Sequence, residues 1–94
     1  MNVATIIHNQ IQAIDAAALW AWGSKDFVNT GDGLQFKTSG LSRWKGIVHI
    51  TLDAAADLYN IKFYRIRKAT ILVDKEIEGV LAEDLVEYID MQVG

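Results

Sequence analysis

The sequence predicts one α+β domain, in which an antiparallel β-meander of four to five strands is flanked by an N-terminal and a C-terminal helix packed on one face. Amphipathic helical patterns at both ends of the chain and a period of two between them lead to this prediction. Ninety-four residues, 51% of them apolar, are enough for one hydrophobic core and too few for two. Because no linker-like tract is present, residues 1–94 are expected to fold as a single domain.

The first helix is predicted from apolar residues at spacings of three and four. Asn2 is a suitable N-cap, and Gly23 follows the last periodic residue, where a left-handed C-terminal cap favours glycine. We therefore expect one continuous helix that ends at Gly23. Its apolar stripe consists of Val3, Ile7, Ile11, Ile14, Ala18 and Trp22.

The centre of the chain is rich in β-branched and aromatic residues and alternates between apolar and polar positions. This alternation is typical of half-buried antiparallel strands. Gly31, Asp32 and Gly33 tolerate a positive φ, so they predict a tight hairpin between the first two strands. The five predicted strands span residues 27–30, 34–39, 46–52, 58–68 and 70–77.

The second helix is predicted to follow Gly79. Its acidic residues near the start favour a helix N-terminus, because the helix dipole stabilises negative charge there. With both helices on one face of the sheet, the other face is left to solvent or to a partner. The apolar stripe of this helix consists of Ala82, Leu85, Val86, Ile89 and Val93.

Several functional classes are disfavoured by composition. The chain has no cysteine, which excludes disulfides, thiolate zinc sites and cysteine nucleophiles and favours the cytoplasm. No apolar run is long enough to span a bilayer, and no basic residue precedes Lys25 as a secretory leader would require. His8 and His49 lack a spaced carboxylate motif, so we expect no metal, no cofactor and no enzymatic activity. A small hydrolase or nuclease, assembled from distant residues, is the enzymatic alternative.

Charge is distributed unevenly along the chain. Residues 37–68 hold seven basic and two acidic residues, whereas residues 69–94 hold one basic and seven acidic residues. Basic residues interleaved with aromatic ones on a sheet are typical of surfaces that bind single-stranded nucleic acid. The candidate nucleic-acid-binding residues are Lys62, Tyr64, Arg65, Arg67 and Lys68, with Arg43 and Lys45 from neighbouring segments.

Strand alternation weakens that hypothesis. Arg65 and Arg67 fall in phase with the predicted core residues, whereas Lys62 and Lys68 fall on the opposite face unless a bulge near Tyr64 changes the phase. The simpler alternative is a solvated strand whose arginines pair with the acidic C-terminal helix.

A second candidate surface lies near the end of the first helix. Leu19 and Trp20 flank the predicted stripe on opposite sides, so they cannot both enter one core. Either the second helix covers one of them, or an exposed residue of the pair forms a protein contact, for which tryptophan is a frequent anchor. With Trp44, these residues form the predicted partner-binding set. The small residues 16–18 also leave room for a helix of a second copy, so a homo-oligomer stays open.

Short sequence motifs occur along the chain at residues 23–27, 33–36, 50–52, 57–63, 65–67, 79–80 and 84–85. Together they resemble the motifs of a widespread group of small phage and prophage proteins of unknown function. The resemblance covers about three quarters of the chain, from residue 23 to the end. It implies a phage or prophage source, an accessory role and the cytoplasm of a bacterial host, and it assigns no functional residue.

The sequence therefore leads to two functional hypotheses of different classes. In the first, the protein is a non-enzymatic accessory protein that binds a protein of unknown identity and modulates a host process or defence. In the second, the protein is a nucleic-acid-binding module that uses the basic strand Leu58 to Lys68.

Overall fold

The computed structural model confirms the α+β class and the antiparallel meander. It describes residues 2–39 and 43–94, and its five strands lie in the order β1-β2-β3-β4-β5, every neighbouring pair antiparallel. The elements are α1 (Val3–Ile14), α2 (Ala18–Ala21), β1 (Lys25–Asn29), β2 (Gly33–Lys37), β3 (Ile47–Asp53), β4 (Leu58–Arg67), β5 (Thr70–Val80), a 3₁₀ turn (Ala82–Asp84) and α3 (Leu85–Val93).

One hydrophobic core lies between one face of the sheet and the helices. Every second residue of the central strands points into it, and the helices contribute most of the residues of their predicted stripes. Trp22 stacks on Phe36 and donates its indole N–H to Asp90 Oδ1 at 3.0 Å, which ties α2 to β2 and α3. The fully buried residues of this core include Ile7, Ile11, Phe36, Val48, Ile50, Ile61, Phe63, Leu85, Ile89 and Val93.

The prediction of one continuous first helix is wrong, because the helix is interrupted at Asp15. Asp15 takes extended dihedral angles, and its carboxylate accepts the backbone N–H of Ala17 at 3.0 Å. An aspartate side chain competes in this way with the helical hydrogen-bond pattern. Because the helix ends there, Ile14 is about half exposed instead of lying in the core stripe.

The predicted C-terminal cap at Gly23 is confirmed, although it ends α2 and not one long helix. Gly23 has φ +64°, and its N–H donates to the Trp20 carbonyl at 2.9 Å. The N–H of Ser24 donates to the Leu19 carbonyl at 3.0 Å. These two bonds form a Schellman motif, which fixes the end of α2.

The β4–β5 hairpin is longer than its neighbours and extends past them. β3 begins at Ile47, which pairs with Tyr64, so the strand residues between 65 and 72 pair only with each other, within the hairpin. β5 also runs three residues beyond its predicted end, because a bulge with Gly79 at φ +70° lets the strand continue to Val80. A two-stranded arm thus projects from the end of the sheet at which β1, β3 and β5 begin.

Candidate interaction surfaces

Leu19 and Trp20 take opposite environments, as their helical phase requires. Leu19 is buried in the core, whereas Trp20 is 85% exposed. Beside Trp20 lies a shallow depression of about 490 Å³ lined also by Ala21, Gly23 and Ser39. The structure thus leaves Trp20, and not Leu19, as the exposed residue of the pair.

Trp44, the third residue of the predicted partner-binding set, is half-buried and has structural contacts. Its ring meets Phe63 edge to face, with centroids 5.8 Å apart and planes at 89°. Its indole N–H donates to Asp74 Oδ2 at 2.9 Å. These contacts account for Trp44 by packing, and they leave only part of the ring for a partner.

Arg43, one of the predicted nucleic-acid-binding residues, holds the C-terminus of α3. Its guanidinium donates to the carbonyl of Met91, and its backbone N–H donates to the carbonyl of Val93 at 2.9 Å. The backbone N–H of Trp44 reaches the same Val93 carbonyl at 3.2 Å. A cation at a helix C-terminus satisfies free carbonyls and the negative end of the helix dipole. Arg43 therefore stabilises the fold.

The basic strand is divided between the two faces of the sheet. The side chains of β4 alternate between the two faces without interruption. The bulge near Tyr64 lies in β5, where Asp74 is the extra residue, so it does not change the phase of β4. Arg65 and Arg67 thus share the face of the buried Phe63, on which the helices pack. Lys62 and Tyr64 lie on the opposite face of the sheet, which we call the open face.

The expected pairing of the strand arginines with the C-terminal helix is wrong for Arg65. Its Nε lies 2.6 Å from Asp74 Oδ2, and Nη2 donates to Asp74 Oδ1 at 2.9 Å, so the partner is on the adjacent strand β5. This two-point contact is the geometry that arginine favours with a carboxylate. The pKa of Asp74 is lowered, first by the hydrogen bond from Arg65 and then by the one from Trp44.

The open face around Lys62 is polar and internally bonded. The hydroxyl of Tyr64 donates to Gln35 Oε1 at 2.7 Å, and burial raises the pKa of that hydroxyl. Lys62 lies opposite His49 of β3 and Glu76 of β5. Burial is the main cause that lowers the pKa of His49. Because an acidic residue and a bonded tyrosine share this region, it is not a uniformly cationic stacking surface.

Sequence reasoning missed an apolar surface on the projecting hairpin. Tyr64 pairs with Val73 and Ile66 pairs with Ile71, so the four side chains share the open face. Ile66 and Ile71 are each 61% exposed and Val73 is 51% exposed. We call these four residues the hairpin patch. The signal in the sequence was that the predicted fourth strand is longer than the third. The last residues of the fourth strand therefore have no neighbouring strand on one side.

Two further observations concern other kinds of site. Among residues 2–39 and 43–94, no group of three or more histidine, aspartate or glutamate side chains is placed to hold a metal ion. Within the same residues, every helix is too short or too polar to cross a membrane.

The comparisons with known proteins add no assignment to this geometry. The chain matches no protein family, no curated protein and no solved structure.

Proposed function

We propose that this chain is a small phage or prophage accessory protein that acts in the cytoplasm of a bacterial host, without catalysis, by binding another protein through Trp20. The exposure of Trp20 carries the proposal, because a tryptophan that is 85% exposed contributes little to the core. Tryptophan is also among the side chains that most often supply the binding energy of protein interfaces. The resemblance to phage proteins supports the accessory role.

The backbone beneath Trp20 is held in place on both sides. Leu19 and Trp22 anchor α2 in the core, and the Schellman motif at Gly23 fixes its end. A backbone held in this way loses little conformational freedom when a partner covers Trp20, which favours binding. The depression beside the ring offers room for a partner side chain.

The test uses tagged protein and lysate of a bacterial host, with and without nuclease, at low and moderate salt. We expect one host protein to be retained at a stoichiometric ratio by the wild-type chain and lost with Trp20→Ala. The matched control is Ile14→Ala, which truncates another exposed apolar side chain. With the purified partner, Trp20→Ala should weaken binding by roughly 30-fold or more, the level of an interface hot spot. Retention by Trp20→Ala equal to that of the control would refute the proposal.

Nucleic-acid binding is the second candidate, and one observation favours it. Lys45, Arg67 and Lys68 lie at the end of the sheet where the hairpin projects, and none of them forms an ion pair with another described residue. Phosphate contacts by such residues make affinity fall steeply with salt. Fluorescence anisotropy with single-stranded DNA at low salt tests this candidate, and Arg67→Glu with Lys68→Glu should abolish the signal. Absence of binding at low salt would eliminate it.

A further inference from the structure

We propose that copies of this chain associate head to tail, with the hairpin patch of one copy on the outer face of α3 of the next. This proposal goes beyond the function proposed above, because it uses neither Trp20 nor a partner from another source. It rests on two surfaces, one apolar with lysines beside it and one that combines carboxylates with apolar side chains.

The first surface is the hairpin patch, which has an apolar centre and a basic rim. Ile66 borders a groove of about 320 Å³ whose lining includes Lys25, Lys37 and Lys45. Asp26 is the one acidic residue in that lining, and it pairs with Lys37 at 3.7 Å. Lys68, in the turn at the tip of the hairpin, adds another positive charge. A protein surface that meets this patch needs apolar side chains with carboxylates around them.

The second surface is the side of α3 that faces away from the sheet, and it has that composition. Asp84, Glu87, Tyr88 and Met91 fall within an arc of roughly 100° opposite the buried stripe, given the helical period. Met91 is 57% exposed and Tyr88 is 37% exposed. We call these four residues the α3 patch. α3 itself carries no basic residue, and the Arg43 guanidinium at its C-terminus is bonded to the Met91 carbonyl and not to a carboxylate of the patch.

The positions of the two patches determine the kind of assembly. The hairpin patch lies on the open face of the sheet, and the α3 patch lies outside the helix layer on the other face. Two patches on opposite sides of a molecule cannot both contact the unlike patch of the same partner in one symmetric dimer. Contacts between unlike patches produce a ring or an open series of copies.

A symmetric pair through two hairpin patches is less favourable. It would bring the lysines around the groove of one copy towards those of the other, and like charges at an interface oppose association. The α3 patch would oppose its own copy in the same way through Asp84 and Glu87. Charge complementarity therefore favours the unlike contact over either like one.

Sedimentation velocity of the purified chain tests the proposal, from about 10 µM to about 1 mM, a range that covers weak association. We expect the average mass to rise from the 10.5 kDa monomer past the dimer as concentration increases. Ile66→Ser with Ile71→Ser removes the hairpin patch, and Glu87→Lys with Met91→Ser removes the α3 patch. Each double variant should weaken association by about 10-fold or more.

Mixing the two double variants gives the decisive result. Each retains the patch that the other lacks, so an equimolar mixture should form a 1:1 heterodimer and stop there. Val28→Ser is the matched control, because Val28 is an exposed aliphatic residue of the open face on the other edge strand, and it should associate like wild type. A wild-type chain that stays monomeric at about 1 mM would overturn the proposal. So would growth that ends at a dimer, a double variant that associates normally, or a mixture that stays monomeric. Binding of a host protein through Trp20 is unaffected by any of these outcomes.

Discussion

Substituting Gly23 with alanine tests how the end of α2 is held. At φ +64° an alanine costs about 1 kcal/mol or slightly more, because its Cβ crowds the backbone in the left-handed region. The new Cβ would also overlap Ser39 Oγ and lie 2.8 Å from Ser39 Cβ. Rotation of the hydroxyl does not relieve the second contact, so the backbone must shift, at a further cost of about 1–3 kcal/mol. We expect Gly23→Ala to lower the free energy of unfolding by about 2–4 kcal/mol.

Gly31→Ala separates the two contributions. Gly31 also has a positive φ, +89°, but a Cβ there would have no atom within 4 Å. Urea denaturation followed by tryptophan fluorescence should give a loss of about 1 kcal/mol for Gly31→Ala. Replacing Ser39 with glycine should reduce the cost of Gly23→Ala to about that same value, since only the backbone contribution remains. Equal losses for Gly23→Ala and Gly31→Ala in the wild-type background would refute the packing argument.

Three further predictions concern the sheet and the first helix. Burial lowers the pKa of His49 in the folded state, so this side chain binds fewer protons there than in the unfolded chain, and the free energy of unfolding should fall as pH drops below the unfolded pKa of about 6.5. In His49→Gln, the midpoint of urea denaturation should fall less steeply over the same pH range. An equally steep fall in the variant would argue against this role of His49. Arg65→Gln should raise the pKa of Asp74 towards its ordinary value, as measured by carboxyl NMR titration, and an unmoved pKa would show that the ion pair is not its main cause. Ile11→Ala should cost about 2–5 kcal/mol of unfolding free energy, whereas Ile14→Ala should cost under about 1 kcal/mol, and similar costs would contradict the break at Asp15.

The candidate surfaces were only partly accessible to prediction. Helical phase alone showed that Leu19 and Trp20 cannot share one core, but the residue left in water depended on where α2 packs. Strand alternation placed Arg65 and Lys62 on opposite faces, because the side-chain period of a strand is two. The partner of Arg65 was beyond reach, since Asp74 comes within range only through a bulge in the neighbouring strand. The contact of Arg43 with the C-terminus of α3 was equally beyond reach, because the two segments lie far apart in the sequence.

The sequence by itself determined the α+β class of the fold, the order of its strands between helical ends and much of its core. Periodicity and turn-forming residues are local properties, so the meander, the stripe of α3 and the cap at Gly23 could be derived without coordinates. Tertiary structure decided the break at Asp15, the extension of β5 through Gly79 and the projecting hairpin with its exposed Ile66 and Ile71. The physical reason is that exposure depends on which segments cover a side chain, and those segments lie far away in the sequence.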